Sequence, residues 1–432
     1  MRGLALKPGS TFEALRHRDF AILWAASTIS NTGSWMQSVA VPFVVYDITR
    51  SLSMLGLASL IALLPGVAGT MIAGAIADRF PSRTLLSITQ SAQMIAALAL
   101  WMLWLSGHHV VAPILVLVGL GGFFGGLNQP VWQSIVAELV PRESLGSAVR
   151  MNSLQFSVAR SVGPFLGAWV LKSGGPSVSF AANTLTFILV LMGLAIARTT
   201  NTILQNSESP FRQLLGGWRY VAGRPALRIP PLVMFVLCTL GYSWLQLAAA
   251  LARDRFHQPK AIGYLVGAYG IGALLSALTM NSLSRRVRRS QIVLGAMVLW
   301  GGGIAALSTT DTVLFGCLGL GAAGMAHVAT TATLNTAIQM QVADEYRGRT
   351  LALYIQSFFL GAAGGGFVMA KFADHVGLVT AMRVSAAGIV GFAVFARFVL
   401  RLPLIDRDQA SYADAANDVG KRKVGAPKSA PT

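Results

Sequence analysis

From Phe20 to Val399 the chain is a succession of apolar runs, most about 20 residues long, separated by short turns that hold most of its charge. About 20 residues of helix cross a hydrocarbon core about 30 Å thick, and inside that core every backbone N–H and C=O must be paired within the protein. A closed β-barrel would instead need alternating segments of about ten residues, and none occurs here. The runs therefore predict an all-α integral membrane protein. Only 12% of the residues are charged, against about 25% in soluble domains. The opening stretch MRGLALKPGSTFEALRHRDF is mixed and polar, so the first apolar run is read as a retained span rather than a cleaved signal.

Twelve transmembrane helices are expected, at 20–46, 53–77, 84–106, 112–137, 146–171, 175–197, 230–252, 261–283, 290–308, 313–341, 350–371 and 378–399. They divide the chain into a cytoplasmic N-terminal segment 1–19, a six-helix bundle 20–197, a cytoplasmic linker 198–229, a second six-helix bundle 230–399 and a disordered tail 400–432. An even number of spans puts both termini on one side. Twenty-six of the 34 basic residues lie in the termini and even-numbered loops, and seven in the odd loops or their edges. By the positive-inside rule the termini are cytoplasmic; the expected location is the plasma (cell inner) membrane. The net charge of +18 is thus topological. No basic soluble domain exists to hold nucleic acid. Cys238 and Cys317 sit inside apolar runs and offer neither a disulfide framework nor metal spacing. No cofactor is implied.

The two halves repeat. A shift of 207 residues lays Gly56 on Gly263, Leu127-Asn128 on Leu334-Asn335, Glu138 on Glu345 and Arg142 on Arg349, with one register over some 85 residues. Parallel six-span halves are the signature of the major facilitator fold. The loop after span 2 reads Gly74-Ala-Ile-Ala-Asp78-Arg79-Phe-Pro81-Ser82-Arg83. It resembles the loop 2–3 motif G-x-x-x-D-R-x-G-R-[KR] of the major facilitator superfamily. Gly74, Asp78, Arg79 and Arg83 match; Pro81 and Ser82 depart from it. The resemblance implies two pseudo-symmetric six-helix bundles and a gating role for Asp78, Arg79 and Arg83, with Glu138 at the end of span 4 as the partner acid. The bland reading is topogenic charge.

Span 5 contains Gly163-Pro164-Phe-Leu-Gly167, which resembles the motif of exporters in this superfamily; the glycines allow close helix packing and Pro164 bends the helix. Arg160 lies near the midplane of the same span, where a charge costs at least about 2.5–3.5 kcal/mol. No acid lies deep in any span. Two readings follow: Arg160 binds an anionic or strongly hydrogen-bonding substrate, or carbonyls and polar side chains cap it as a structural residue. His327 in span 10 has an ordinary pKa near neutrality at membrane depth. It is a proton carrier or a helix–helix hydrogen-bonder, with Asp47 at the outer end of span 1 the weaker coupling candidate.

Asn31, Trp35, Asn152, Gln155, Tyr242, Gln246, Asn335 and Gln356 occupy helices that line the cavity in the resembled fold. Amide and aromatic surfaces suit small organic molecules, while helix-packing contacts are the alternative. Span 4 carries Gly119, Gly121, Gly122, Gly125 and Gly126 but no arginine, unlike proton-driven drug antiporters of the superfamily. With Asn128-Gln-Pro130 and Arg160-Ser-Val-Gly163-Pro164, the chain resembles the branch holding the enterobactin exporter and macrolide-efflux-type proteins. The implied function is proton-coupled efflux of small drug- or siderophore-like molecules by a monomer, through alternating access. Uptake symport on the same fold and a non-transporting receptor or scaffold are the competitors. No G-x-x-x-x-G-K-[ST] loop, metal triad or nucleophile constellation points to an enzyme.

Overall fold

The computed structural model describes residues 12–77, 80–198 and 210–407. The described residues are helical, with no strand among them. Six helices come first: α1 Arg18–Thr49, α2 Leu52–Ala77, α3 Ser82–Leu105, α4 Val111–Glu138, α5 at 145–174 and α6 at 176–196. The second six are α7 at 225–255, α8 Ile262–Ser284, α9 Arg289–Thr309, α10 Val313–Gln341, α11 Asp344–Val376 and α12 Leu378–Phe398. Ten of the helical segments are long and apolar enough to cross a membrane. One of them is a continuous helical stretch from Arg142 to Ile196, yet Gly175 within it has φ 72, ψ −174. Trp24 Nε1 donates to Met151 O, while a β-carbon on Gly193 would lie 3.4 Å from the Leu23 side chain. Residues 42 apart therefore sit at one level of α1, and the chain folds back at Gly175, where only glycine adopts the conformation without strain.

The packing follows the repeat. α2 lies on α4 as α8 lies on α10, α3 on α4 as α9 on α10, and α1 on α5 as α7 on α11. The halves meet through α2 against α11 and α5 against α8, which the same exchange of halves interchanges. Gly56 and Gly263, related by the 207-residue shift, both stand at these contacts. A β-carbon on Gly56 would come within 2.8 Å of the Gly366 carbonyl oxygen; one on Gly263 would be 3.1 Å from that of Ala168. Large apolar side chains such as Ile95, Leu278 and Leu314 point outward, as a lipid solvent requires.

Three departures from the sequence reading concern polar or proline-bearing segments. The stretch read as linker contains a helix, Pro210–Ala222, whose Tyr220 stacks on Tyr346 with ring centroids 4.1 Å apart. α7 starts at Pro225 instead of 230, because proline is tolerated in a first turn. It then passes through two π-helical turns, Cys238–Tyr242 and Leu251–Arg255. The segment read as the start of a disordered tail is docked: Leu402–Asp406 forms a short turn, and Asp406 accepts from Ser290 N (2.8 Å) and Ser290 Oγ (2.6 Å), capping α9.

Candidate substrate site and cross-half contacts

α5 reaches the second half because it slides along α8. Lys172 bonds Tyr264, Ala168 abuts Gly263 and Phe165 abuts Gly267, an antiparallel ladder. Continuing it downward sets Arg160 level with about Ile271 to Ser276 of α8. Its charge acts on Tyr242, Tyr269 and His327, all in the second half. Arg160 is half-buried and, among the described residues, has neither a hydrogen bond nor an ion pair. The capped structural reading therefore finds no partner.

The second half holds an aromatic cluster. His327 is buried and its Nδ1 meets Tyr269 Oη. Its ring stacks on Phe358 (5.7 Å, 5°) and lies 5.3 Å from Trp300 and 5.4 Å from Tyr242. His327 Nε2 and Trp300 Nε1 are buried without partners. Tyr242 sits where the first π-helical turn ends, a local irregularity that often marks a functional site.

The other expected residues separate into groups. Gln155 is fully buried with both amide atoms unpartnered, and Gln246 Oε1, against Gly366 of α11, is likewise unpartnered. Asn31 lines a polar pocket inside the first half with Ser27, Ser34, Gln90, Gln93 and Asn128. Asn152 accepts from Trp132 Nε1 (2.7 Å), Asn335 accepts from Gln339 one turn on, and Trp35 packs its β-carbon on Gly163. Those contacts lie within one half. Gln356 is half-buried, with no hydrogen bond among the described residues. Gly167 lets α5 approach the Met36 backbone, and Pro164 is buried beside it.

Of the gating set, Asp78 and Arg79 lie outside the described residues. Arg83 donates to the Leu194 carbonyl at 2.9 Å and so caps the end of α6, where a cation meets unpaired carbonyls. Glu138 closes α4. Asp47 pairs with Arg253 of α7 and, at 3.3 Å, with Arg50.

Asp47 belongs to a clasp that sequence reasoning missed. Among the described residues, four side-chain pairs join the halves at the end away from both termini. They are Tyr46–Asp254, Asp47–Arg253, Ser53–Asp374 and Lys172–Tyr264. Each acid or base sits at a span end and reads singly as a topogenic charge; only the helix register brings them together.

A family model described as transmembrane secretion effector matches residues 9–424. The chain belongs to this major facilitator family. The enterobactin exporter EntS of Salmonella choleraesuis is 26% identical over 377 residues, covering 87% of this chain and 90% of that protein. EntS of Shigella flexneri is 25% identical over 398 residues, covering 89% and 92%. Among solved structures, a POT family transporter superposes with TM-score 0.71 at 12% identity, over 92% of this chain and 100% of that one. A bacterial homologue of the iron transporter ferroportin gives 0.66 at 16%, over 90% and 99%. The fold is that of the major facilitators, and this membrane-embedded transporter moves small molecules rather than transforming them.

Proposed function

We propose that this transporter exports small organic molecules across the plasma membrane by alternating access, driven by a proton gradient and acting as a single chain. The halves 20–197 and 230–399 rock about the linker 198–229, with both termini cytoplasmic. The observation that carries the reading is the cross-half clasp at one end, set against unpartnered polar groups of both halves: Gln155 and Arg160 from α5, Gln246 from α7 and His327 from α10. A closed end and a polar mid-level suit a carrier caught facing one side. With cytoplasmic termini that side is the cytoplasm, where an exporter loads. The Gly163-Pro164-x-x-Gly167 motif and the EntS relatives support the outward direction.

For coupling, His327 holds one nitrogen on Tyr269 and leaves the other open, the arrangement of a group that exchanges a proton. The test is flux in proteoliposomes of known orientation under an imposed pH gradient. Efflux-direction transport that collapses with the gradient is expected, and His327→Gln should remove its pH dependence. Transport in the inward direction with protons would replace this reading by symport. Flux that ignores the gradient would end proton coupling.

A further inference from the structure

Arg160 is a cation without a counter-ion, set between two six-helix bundles. Among the described residues, the acids of the spans lie at helix ends: Asp47 and Asp254 in the clasp, Asp374 at the end of α11, Glu138 at the end of α4. None is level with Arg160. A charge left unpaired in that setting costs several kcal/mol unless something supplies the missing partner. The ladder of α5 along α8 sets Arg160 within about two helical turns of Tyr269, whose hydroxyl meets His327 in a cluster of rings. Tyr242 and Phe358 are that cluster's half-buried members, while His327 and Trp300 behind them are buried. A flat ring entering between the halves would stack on Tyr242 and Phe358.

We infer that the transported molecules include aromatic anions, with the anionic group bound by Arg160 and the ring held against Tyr242 and Phe358. This rests on the transport reading above and names the substrate class of that site. A planar, bidentate donor suits carboxylates and comparable oxyanions better than a point charge does. The site selects against aromatic cations, because Arg160 and the cation would be pushed together in a medium of low dielectric.

The experiment uses the purified full chain in detergent and three ligands on one ring: 1-naphthoate, 1-naphthamide and 1-naphthylmethylammonium. Binding is followed by calorimetry. The wild type should bind naphthoate at least about tenfold more tightly than naphthamide, the difference expected of a charge-assisted pair, and the ammonium most weakly. Arg160→Gln should weaken naphthoate binding until it no longer exceeds naphthamide binding, while an unchanged thermal-denaturation midpoint shows that the variant is folded. Arg160→Lys should restore part of the preference. Equal affinities in the wild type, preference for the cation, or an anion preference that survives Arg160→Gln each overturn the inference. Access switching, read by labelling single cysteines at the clasp and the opposite end, does not depend on ligand charge. Failure of the transport reading is therefore seen separately.

Discussion

Gln155 is fully buried with an amide that meets no partner, an arrangement that costs about 1–3 kcal/mol. A protein retains such a residue when it does something other than hold the fold. Gln155→Leu, close in volume, should raise the detergent melting temperature, with a gain of about 1 kcal/mol, and slow transport. Unchanged transport would remove it from the site. The reverse holds for Asn152, whose acceptor is used by Trp132: Asn152→Leu strands a buried indole N–H and should cost about 1–3 kcal/mol of stability, measured by thermal denaturation. Both residues are amides on one helix, three positions apart, and sequence alone ranks them together. Their roles separate only because one faces α4 and the other finds nothing.

At the scale of the helix, close approach decides function. A β-carbon on Gly56 would sit 2.7 Å from the Ala370 β-carbon and 2.8 Å from backbone atoms of α11, neighbours that cannot swing aside. Gly56→Val should therefore disfavour contact of α2 with α11 and hold the clasp end open, seen as faster labelling of a cysteine at Ser53. Equal labelling in both backgrounds would show that this contact does not gate. Gly163→Leu acts within one half: the new side chain meets the Trp35 β-carbon and the Thr32 carbonyl of α1, and should cost about 1–3 kcal/mol by overpacking. The glycine motif of span 5 was readable from the sequence. Its partner, α1, was not, because periodicity says which residues share a face and not which helix covers it.

In the whole molecule, the clasp is a set of partly exposed pairs, each worth about 0–1 kcal/mol. Together they can bias a two-state carrier by about 1–3 kcal/mol. Arg253→Ala combined with Asp374→Asn should shift the population toward the state open at that end, raising the accessibility of cysteines placed there by about fivefold or more. No change would show the pairs to be incidental. The chain by itself determined the membrane-spanning, all-helical class and the internal repeat. Hydrocarbon length, backbone pairing and internal repetition are properties of sequence that need no partner to be read. Tertiary structure alone decided that α5, which carries Arg160, packs on α8 of the other half, that Arg83 caps α6, and that Asp47 is a clasp residue. These depend on the rotation and register of helices more than a hundred residues apart, and apolar periodicity is blind to both when most faces of a helix meet either lipid or another helix.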